Sequence, residues 1–204
     1  MRSTIFKINW GWIGVAATDR GVAAIVLPKP SRQAVERELN GRGGSRTAPT
    51  PMTDERGDNH LKAARAAIEA YLGGKGRAFD LPLDFEGQPR FRRKVWETLR
   101  GIPYGRVRSY GWVARKVGKP AAARAVGGAC GANPMPLLIP CHRVVAGDGS
   151  LGGFSGGLGL KKRLLKLEGV YLGTPRRQDG AQLNAARPRA RSYGRRERRK
   201  AAGA

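Results

Sequence analysis

The sequence predicts an α+β fold, and two observations support it. Three short stretches rich in β-branched residues, at residues 5–8, 13–16 and 22–27, are bounded by glycine or proline and predict a small meander of strands. From residue 89 onward, apolar residues recur at helical spacing in short segments. Strands that are followed by helices, rather than alternating with them, are typical of an α+β protein.

Two helices are expected within residues 1–88, which we interpret as an N-terminal α+β domain. The first is capped by Ser31 and runs to about residue 40, where a glycine follows. The second starts near Asp58 or Asn59 and ends at Gly73-Gly74, and its spacing places four residues on one apolar face: Leu61, Ala64, Ile68 and Tyr71. Residues 41–57 are rich in Gly, Arg, Thr, Pro and Asp without periodicity, which predicts an exposed, mobile loop.

Residues 89–173 are predicted to form a helical, DNA-binding domain. One helix carries an apolar stripe near residues 91–99, and Ser109 caps the next. A third helix, made almost entirely of small residues, spans about 120–130 with a proline in its first turn. Two short helices joined by a glycine-containing turn favour a helix-turn-helix, although an ordinary helical hairpin in a core has the same pattern.

The small-residue helix carries one long side chain, Arg124. Small residues let another backbone approach closely, so this helix suits a narrow groove. An enzyme that acts on a base must take that base out of the stack, and Arg124 is suited to fill the vacated space. In the alternative interpretation, the small residues serve tight helix packing and Arg124 only meets solvent.

The formal net charge of +24 is concentrated beyond residue 88. Residues 1–88 carry 13 basic and 10 acidic side chains, residues 89–173 carry 16 and 3, and residues 174–204 carry 10 and 2. The net +13 of the middle segment is expected of a surface that neutralises phosphates, although a ribosome-like or merely basic protein has the same charge. The last segment lacks apolar periodicity and predicts a disordered tail that adds nonspecific nucleic-acid contacts or serves as a nuclear signal.

Several classes of protein are disfavoured by the composition. No apolar run reaches the roughly 18 residues that a membrane span needs, and the N-terminal segment is a poor signal peptide because Lys7 and Asn9 interrupt it. Two cysteines and two histidines give neither a disulfide framework nor a zinc spacing. We therefore expect a cytoplasmic protein, nuclear if the source is eukaryotic, with no membrane association, no metal and no cofactor.

The segment from Pro140 to Arg143 carries the most chemical information, because it places Cys141 beside His142. A thiol reacts as its thiolate, which a nearby base or cations make less costly. If the backbone is extended here, the two side chains point to opposite sides, and His142 reaches the sulfur only through a turn or a bridging water. Glu168 ends a helix predicted from about residue 160, where a carboxylate is unfavourable and invites a partner such as a histidine. A buried, unreactive cysteine next to a hydrogen-bonded histidine remains the alternative.

The motifs of residues 89–170 together resemble a known family. They are, in chain order, residues 91–96, 102–105, 109–110, 124–127, 133–134, 140–144, 155–157 and 164–168. This order resembles the O6-alkylguanine-DNA alkyltransferases, also called methylated-DNA–protein-cysteine methyltransferases. The first 88 residues match only in their coarse layout. The resemblance implies a small RNase H-like N-terminal domain and a winged helix-turn-helix-like alkyltransferase domain.

The resemblance implies a stoichiometric DNA-repair protein that acts as a monomer. Cys141 would take the alkyl group from O6 of a guanine flipped out of duplex DNA, with O4-methylthymine as a further candidate, and would remain alkylated after one turnover. In such proteins His142 activates Cys141 through a water, and Glu168 orients the imidazole. Tyr110 matches the tyrosine that donates toward guanine N3. Asn133 matches the asparagine that braces the turn before the active-site segment.

The resemblance also assigns a base pocket and a DNA surface. Ser155 matches the residue near O6, and Phe154 stands where relatives often have tyrosine, so that packing over the base is retained without the hydroxyl. Cys130 is interpreted as a core thiol rather than a second acceptor. The expected pocket residues are Val144, Val145, Leu151, Gly152, Phe154, Ser155, Gly156 and Lys161. The expected DNA-binding residues are Arg124, Ala122, Ala123, Ser109 and Arg143.

Three other functions fit these residues less well. A damage-binding protein of the same fold would recognise O6-alkylguanine and transfer nothing, but the retained cysteine, histidine and glutamate disfavour it. A thiol hydrolase using Cys141 and His142 would leave the basic helix-turn-helix unexplained. A transcriptional regulator with an additional zinc sensor domain is disfavoured, because its four zinc-binding cysteines are missing.

Overall fold

The computed structural model describes residues 1–42 and 55–172. Most of the loop predicted at residues 41–57, and the tail predicted at 174–204, lie outside the described residues. The ends of the predicted loop that are described are helical rather than irregular. No helix within the described ranges is long and apolar enough to cross a membrane.

The N-terminal region begins with an antiparallel sheet in the order β1-β2-β3. The strands are β1 (Arg2–Ile8), β2 (Gly11–Thr18) and β3 (Gly21–Lys29), so the three predicted strands are present and longer than expected. Alternate residues of β2 face opposite sides: Ile13, Val15 and Ala17 join the main core, whereas Ala16 packs in a smaller cluster on the other face. The sheet therefore has two apolar faces to cover.

One helix covers each face of this sheet. Helix α1 (Arg32–Arg42) packs so closely that a Cβ at Gly14 would lie 2.5 Å from Val35. Helix α2 (Glu55–Leu72) covers the other face. It starts three residues before the predicted Asp58, with acidic residues in its first turn, where they favour a helix N-terminus. Gly41 does not end α1, since a glycine weakens a helix by only about 1 kcal/mol.

Four helices follow in the second half of the described chain. They are α3 (Arg90–Arg100), α4 (Tyr110–Lys116), α5 (Ala123–Gly131) and α6 (Leu158–Leu167). The small-residue helix begins at Ala123 rather than at Pro120. Before it, the chain makes two turns, in which Lys119 N donates to the Ala114 carbonyl and Ala122 N donates to the Lys119 carbonyl. Two-residue strands β4 (Arg108–Ser109) and β5 (Val144–Val145) pair in parallel and hold the start of α4 beside the segment that follows Cys141.

A continuous apolar core joins the sheet to the later helices. It contains Ile25 and Tyr71 from the N-terminal half together with Trp96, Met135 and Cys141. A backbone hydrogen bond of 2.8 Å from Ile25 N to the carbonyl oxygen of residue 134 ties β3 to the turn after α5. The domain boundary predicted near residue 88 stays a prediction, but the sheet and the active-site segment pack against each other.

Replacing Gly21 by alanine should destabilise the protein. Gly21 has φ +147°, and an added Cβ would overlap the backbone carbonyl of Pro82, so the loss should be at least about 2 kcal/mol. Gly41→Ala is the matched control, because no atom of the described residues lies within 4 Å of the added Cβ and alanine favours a helix. Denaturant unfolding measures the stability of the two variants. Equal stability would contradict the conclusion that position 21 has no room for a side chain.

Candidate active site

Cys141 begins a short 3-10 turn (Cys141–Arg143) that leads directly into β5. Its side chain is only 3% exposed, and its sulfur accepts a hydrogen bond of 3.1 Å from Asn133 Nδ2. Burial raises the pKa of the Cys141 thiol, and it outweighs the opposing effects of Asn133 and the positive charge of Lys161. The resting thiol is therefore protonated at neutral pH, and its reaction requires a base.

Asn133 holds the loop between α5 and Cys141 in shape. Besides its bond to the sulfur, Nδ2 donates to the Ile139 carbonyl at 2.8 Å, and Oδ1 accepts from Met135 N at 3.0 Å. The loop needs such a brace because Leu137 adopts φ +79°, a left-handed conformation that is costly for a residue with a side chain. The asparagine thus fixes the sulfur relative to the C-terminal end of α5.

His142 is fully buried and contacts the carboxylate of Glu168. Its Nε2 donates to Glu168 Oε1 at 2.9 Å, which assigns the proton of the neutral ring to Nε2. Nδ1 is buried and makes no hydrogen bond with any described residue. Burial is the largest influence on the pKa of His142 and lowers it, so the ring is neutral at pH 7 and Nδ1 has a free lone pair. No direct bond joins this ring to the thiol within the described chain.

Glu168 follows α6 directly and accepts hydrogen bonds from several parts of the fold. Arg143 donates Nη2 to Oε1 at 2.8 Å and Nε to both oxygens at 3.0 Å. Gly105 N donates to Oε2 at 3.0 Å, and the Tyr71 hydroxyl donates to Oε1 at 2.6 Å. Burial alone would raise the pKa of Glu168, but the hydrogen bond from His142 and the hydrogen bonds and positive charge of Arg143 lower it to about 2. The structure thus brings together the histidine and the carboxylate that the sequence suggested as partners.

Arg143 does not have the role expected of it. The prediction of a DNA-binding arginine is wrong, because the side chain is buried, with its guanidinium forked onto Glu168 and Nη1 donating to Ile102 O at 2.6 Å. A buried carboxylate at a helix end requires a buried cation, and Arg143 supplies it. Its position is therefore structural.

Lys161 is likewise not a pocket-lining residue. The side chain is fully buried, and Nζ donates to the carbonyls of Val144 at 2.5 Å, Gly153 at 3.1 Å and Leu151. Burial lowers the pKa of Lys161 to about 8. The amine connects β5 to the glycine-rich loop of residues 146–157, which precedes α6. It therefore holds these two segments together and does not present its charge to a ligand.

Of the other expected pocket residues, Val144 and Val145 form β5, and the remaining five lie in this glycine-rich loop. The side chains of Val144 and Val145 are buried in the core, so these two residues can offer a ligand only backbone groups. The Phe154 ring lies edge-on to His142 with centroids 6.4 Å apart. Ser155 is exposed, whereas Leu151, Gly152 and Gly156 are partly buried.

Tyr110 approaches the same loop from the start of α4. Its hydroxyl lies 3.4 Å from Gly153 O, and burial raises its pKa, so it remains a proton donor. Gly152 adopts φ +62°, and a Cβ there would lie 2.9 Å from the Tyr110 ring. A glycine at 152 is therefore needed for the tyrosine to reach the loop.

The expected DNA-binding residues occupy the helix pair α4 and α5. Arg124 is exposed and makes no hydrogen bond or ion pair with the described part of the chain. Ala122 and Ala123 are partly exposed at the start of α5. The Ser109 hydroxyl accepts from Trp112 N at 3.1 Å, as expected for the cap of α4.

Sequence reasoning missed Tyr71 as a member of this site. Its helical spacing placed it on the buried face of α2, which the structure confirms. Its hydrogen-bond partner Glu168, however, lies 97 residues further along the chain. One signal was available: a buried tyrosine usually needs a partner for its hydroxyl. The identity of that partner depends on long-range packing.

Glu168→Gln should lower the free energy of unfolding by about 3 kcal/mol or more at pH 7, because it leaves Arg143 buried without its counter-charge. The pKa of this carboxyl is lower in the folded protein than in the unfolded chain. The contribution of the ionised carboxylate to the free energy of unfolding is therefore complete above pH 5 and is lost as the pH falls toward about 2. Denaturant unfolding at pH 7 and pH 3 should show a smaller effect at pH 3, with exposed Glu97→Gln as control. An equal loss at both pH values would contradict the ionised, buried carboxylate.

The sequence is similar to those of known DNA-repair proteins. Residues 90–170 match the model of the 6-O-methylguanine DNA methyltransferase, DNA binding domain. A methylated-DNA–protein-cysteine methyltransferase of Methanosarcina acetivorans is 40% identical over 131 residues, which are 64% of this chain and 83% of that protein. The one from Mycolicibacterium paratuberculosis is 48% identical over 110 residues, or 52% of this chain and 66% of that protein.

Solved structures show the same fold over most of the chain. Mycobacterium tuberculosis OGT in complex with DNA is 32% identical, with a TM-score of 0.65 over 82% of this chain and 93% of that one. The O6-methylguanine-DNA methyltransferase of Pyrococcus kodakaraensis is also 32% identical, with a TM-score of 0.59 over 82% and 98%. The mixed α/β architecture with a small antiparallel sheet is thus common to all of them. This chain belongs to the methylated-DNA–protein-cysteine methyltransferase family, and its activity is DNA repair by alkyl transfer to a cysteine of the protein.

Proposed function

We propose that the protein repairs O6-alkylguanine in duplex DNA, O6-methylguanine above all, by moving the alkyl group irreversibly onto Cys141 Sγ. The observation that carries this proposal is the pairing of a buried, protonated thiol with a neutral imidazole whose Nδ1 is free. Arg143 and Tyr71 already saturate the carboxylate behind that imidazole. The site therefore contains one nucleophile and one base.

The chemistry needs one proton transfer and one displacement. The Cys141 proton passes through a bridging water to Nδ1 of His142, where the nearby Glu168 stabilises the imidazolium. The thiolate attacks the alkyl carbon, the bond between that carbon and O6 breaks, and guanine leaves with the electron pair. Tyr110 stabilises the developing charge by donating a hydrogen bond toward guanine N3. The guanine anion then takes up a proton from solvent, and His142 releases to solvent the proton that it received from Cys141, so that the protons balance. The product is an S-alkylcysteine, and because this thioether is chemically stable in water, each molecule reacts once.

Recognition of DNA is assigned to α4 and α5 acting as a winged helix-turn-helix. The middle segment carries a net charge of +13, which suits phosphate binding. The small residues of α5 permit close approach to a groove, and Arg124 is exposed and unpaired with described residues, so it is available to fill the stack after the base has flipped out. The N-terminal sheet with its two helices is compatible with an RNase H-like arrangement.

Transfer is tested with duplex DNA that carries radiolabelled methyl on O6 of one guanine. Wild-type protein should become labelled in an equimolar, single-turnover reaction, and Cys141→Ala should take up no label because the acceptor sulfur is gone. Cys130→Ala is the matched control, since it removes the other buried thiol and should keep the reaction. Tight binding of the lesion without label on wild-type protein would contradict alkyl transfer and support a damage sensor.

Arg124→Ala should separate base flipping from chemistry. Repair of duplex DNA should slow by about tenfold or more, because the vacated stack is no longer filled, whereas reaction with free O6-benzylguanine should change little. Arg92→Ala on α3 removes the same charge from an exposed position and is the control. Rates measured under single-turnover conditions provide the comparison. Equal losses on the two substrates would refute the role of Arg124 in flipping.

A further inference from the structure

Tyr71 connects the N-terminal half of the protein to the candidate active site. It lies near the end of α2 and is fully buried. Its hydroxyl donates to Glu168 Oε1 at 2.6 Å, and its oxygen lies 3.2 Å from His142 Nε2. Because Nε2 donates to the same Oε1 at 2.9 Å, the three polar atoms form a closed triangle. The hydroxyl takes part in neither the proton transfer nor the displacement of the proposed reaction.

A neighbouring, partly buried tyrosine satisfies its hydroxyl without a charged partner. Tyr104 packs edge-on against Tyr71 with ring centroids 6.2 Å apart, and its hydroxyl is satisfied by the backbone carbonyl of Leu167 at 2.8 Å. Tyr71 instead donates to the charged group that holds His142. Burial and the charge of Glu168 raise the pKa of Tyr71, so its hydroxyl remains protonated and remains a donor.

The groups around His142 determine what this hydroxyl changes. Glu168 favours an imidazolium, whereas the positive charges of Arg143 and Lys161 disfavour it. The Tyr71 hydroxyl is neutral. By donating a hydrogen bond to Oε1, it partly neutralises the negative charge of the carboxylate and so weakens the stabilisation of a charged His142 by Glu168. Its oxygen also lies beside the Nε2 proton, so it restrains the ring as well as the carboxylate.

We propose that Tyr71 is a positioning residue for alkyl transfer to Cys141, which fixes the His142–Glu168 pair by contacting both of its members. The tyrosine transfers no proton. By holding Nε2 at Oε1, it keeps Nδ1 as the free acceptor of the ring. The kinetic consequence rests on the proposed function, because it assumes that His142 accepts the proton of Cys141.

Tyr71→Phe tests the proposal, with Tyr104→Phe as the matched control. Both variants keep the ring and remove one hydrogen-bonded tyrosine hydroxyl. The Tyr71 hydroxyl is buried and donates to the carboxylate, whereas the Tyr104 hydroxyl is partly buried and donates to a backbone carbonyl. At saturating O6-methylguanine duplex, Tyr71→Phe should slow methyl transfer by about tenfold, because the ring is no longer held with Nδ1 in place to accept the proton of Cys141, and this loss of orientation outweighs the stronger basicity of His142. DNA affinity should be unchanged, and Tyr104→Phe should transfer at the wild-type rate. Circular dichroism selects a temperature at which all variants are folded.

The imidazole of His142 supplies a readout that does not depend on transfer. The chain has two histidines, so ring-nitrogen NMR in a His60→Gln background reports His142 alone. Tyr71→Phe should raise the pKa of His142 by about half a unit or more, because Glu168 regains its full attraction, whereas Tyr104→Phe should leave it unchanged.

The two readouts separate positioning from packing. Slower transfer with a wild-type His142 titration would indicate lost packing alone and would overturn the proposal, as would an unchanged transfer rate. Wild-type protein that takes up no methyl group would instead contradict the proposed function. The titration would then still decide whether Tyr71 acts on the histidine pair.

Discussion

The buried carboxylate of Glu168 is the charge on which the site depends. An isolated carboxylate in a protein core costs several kcal/mol, and a helix C-terminus adds to that cost. Glu168 is tolerated because Arg143 forks onto it, and because Gly105 N, Tyr71 and His142 donate the remaining bonds. These donors come from α2, from the turn after α3 and from the segment of Cys141. The carboxylate therefore fixes the relative positions of three parts of the chain.

Burial has opposite consequences for the two reacting groups. It raises the pKa of Cys141 and lowers that of His142, so that both are neutral in the resting protein. In the proposed reaction, a thiolate and an imidazolium form together when the proton moves from Cys141 to His142, and Glu168 is already ionised to stabilise the imidazolium. Lys161 lies close enough to favour the thiolate. This arrangement suits a nucleophile that is used once and gains nothing from being reactive before the damaged base arrives.

Local patterns in the sequence predicted the elements and much of the site. The strands, the cap at Ser109 and the helix that ends at Glu168 follow from periodicity and capping, and the order of motifs around Cys141 identified the family. Arg143 was misjudged because an arginine in a basic segment suggests phosphate binding, whereas its partner lies 25 residues further along the chain. The burial of Lys161 could have been predicted, because its spacing from Leu164 and Leu165 places it on the buried face of α6. The partners of both side chains depend on tertiary packing, which no local pattern encodes.

In the proposed reaction Cys141 accepts the alkyl group and is consumed. Tandem mass spectrometry of the protein after incubation with excess duplex containing O6-methylguanine tests this directly. We expect one methyl group per molecule, located on the sulfur of Cys141, with no further uptake when fresh duplex is added. A methyl group on Cys130, continued turnover, or unmodified protein with repaired DNA would contradict it.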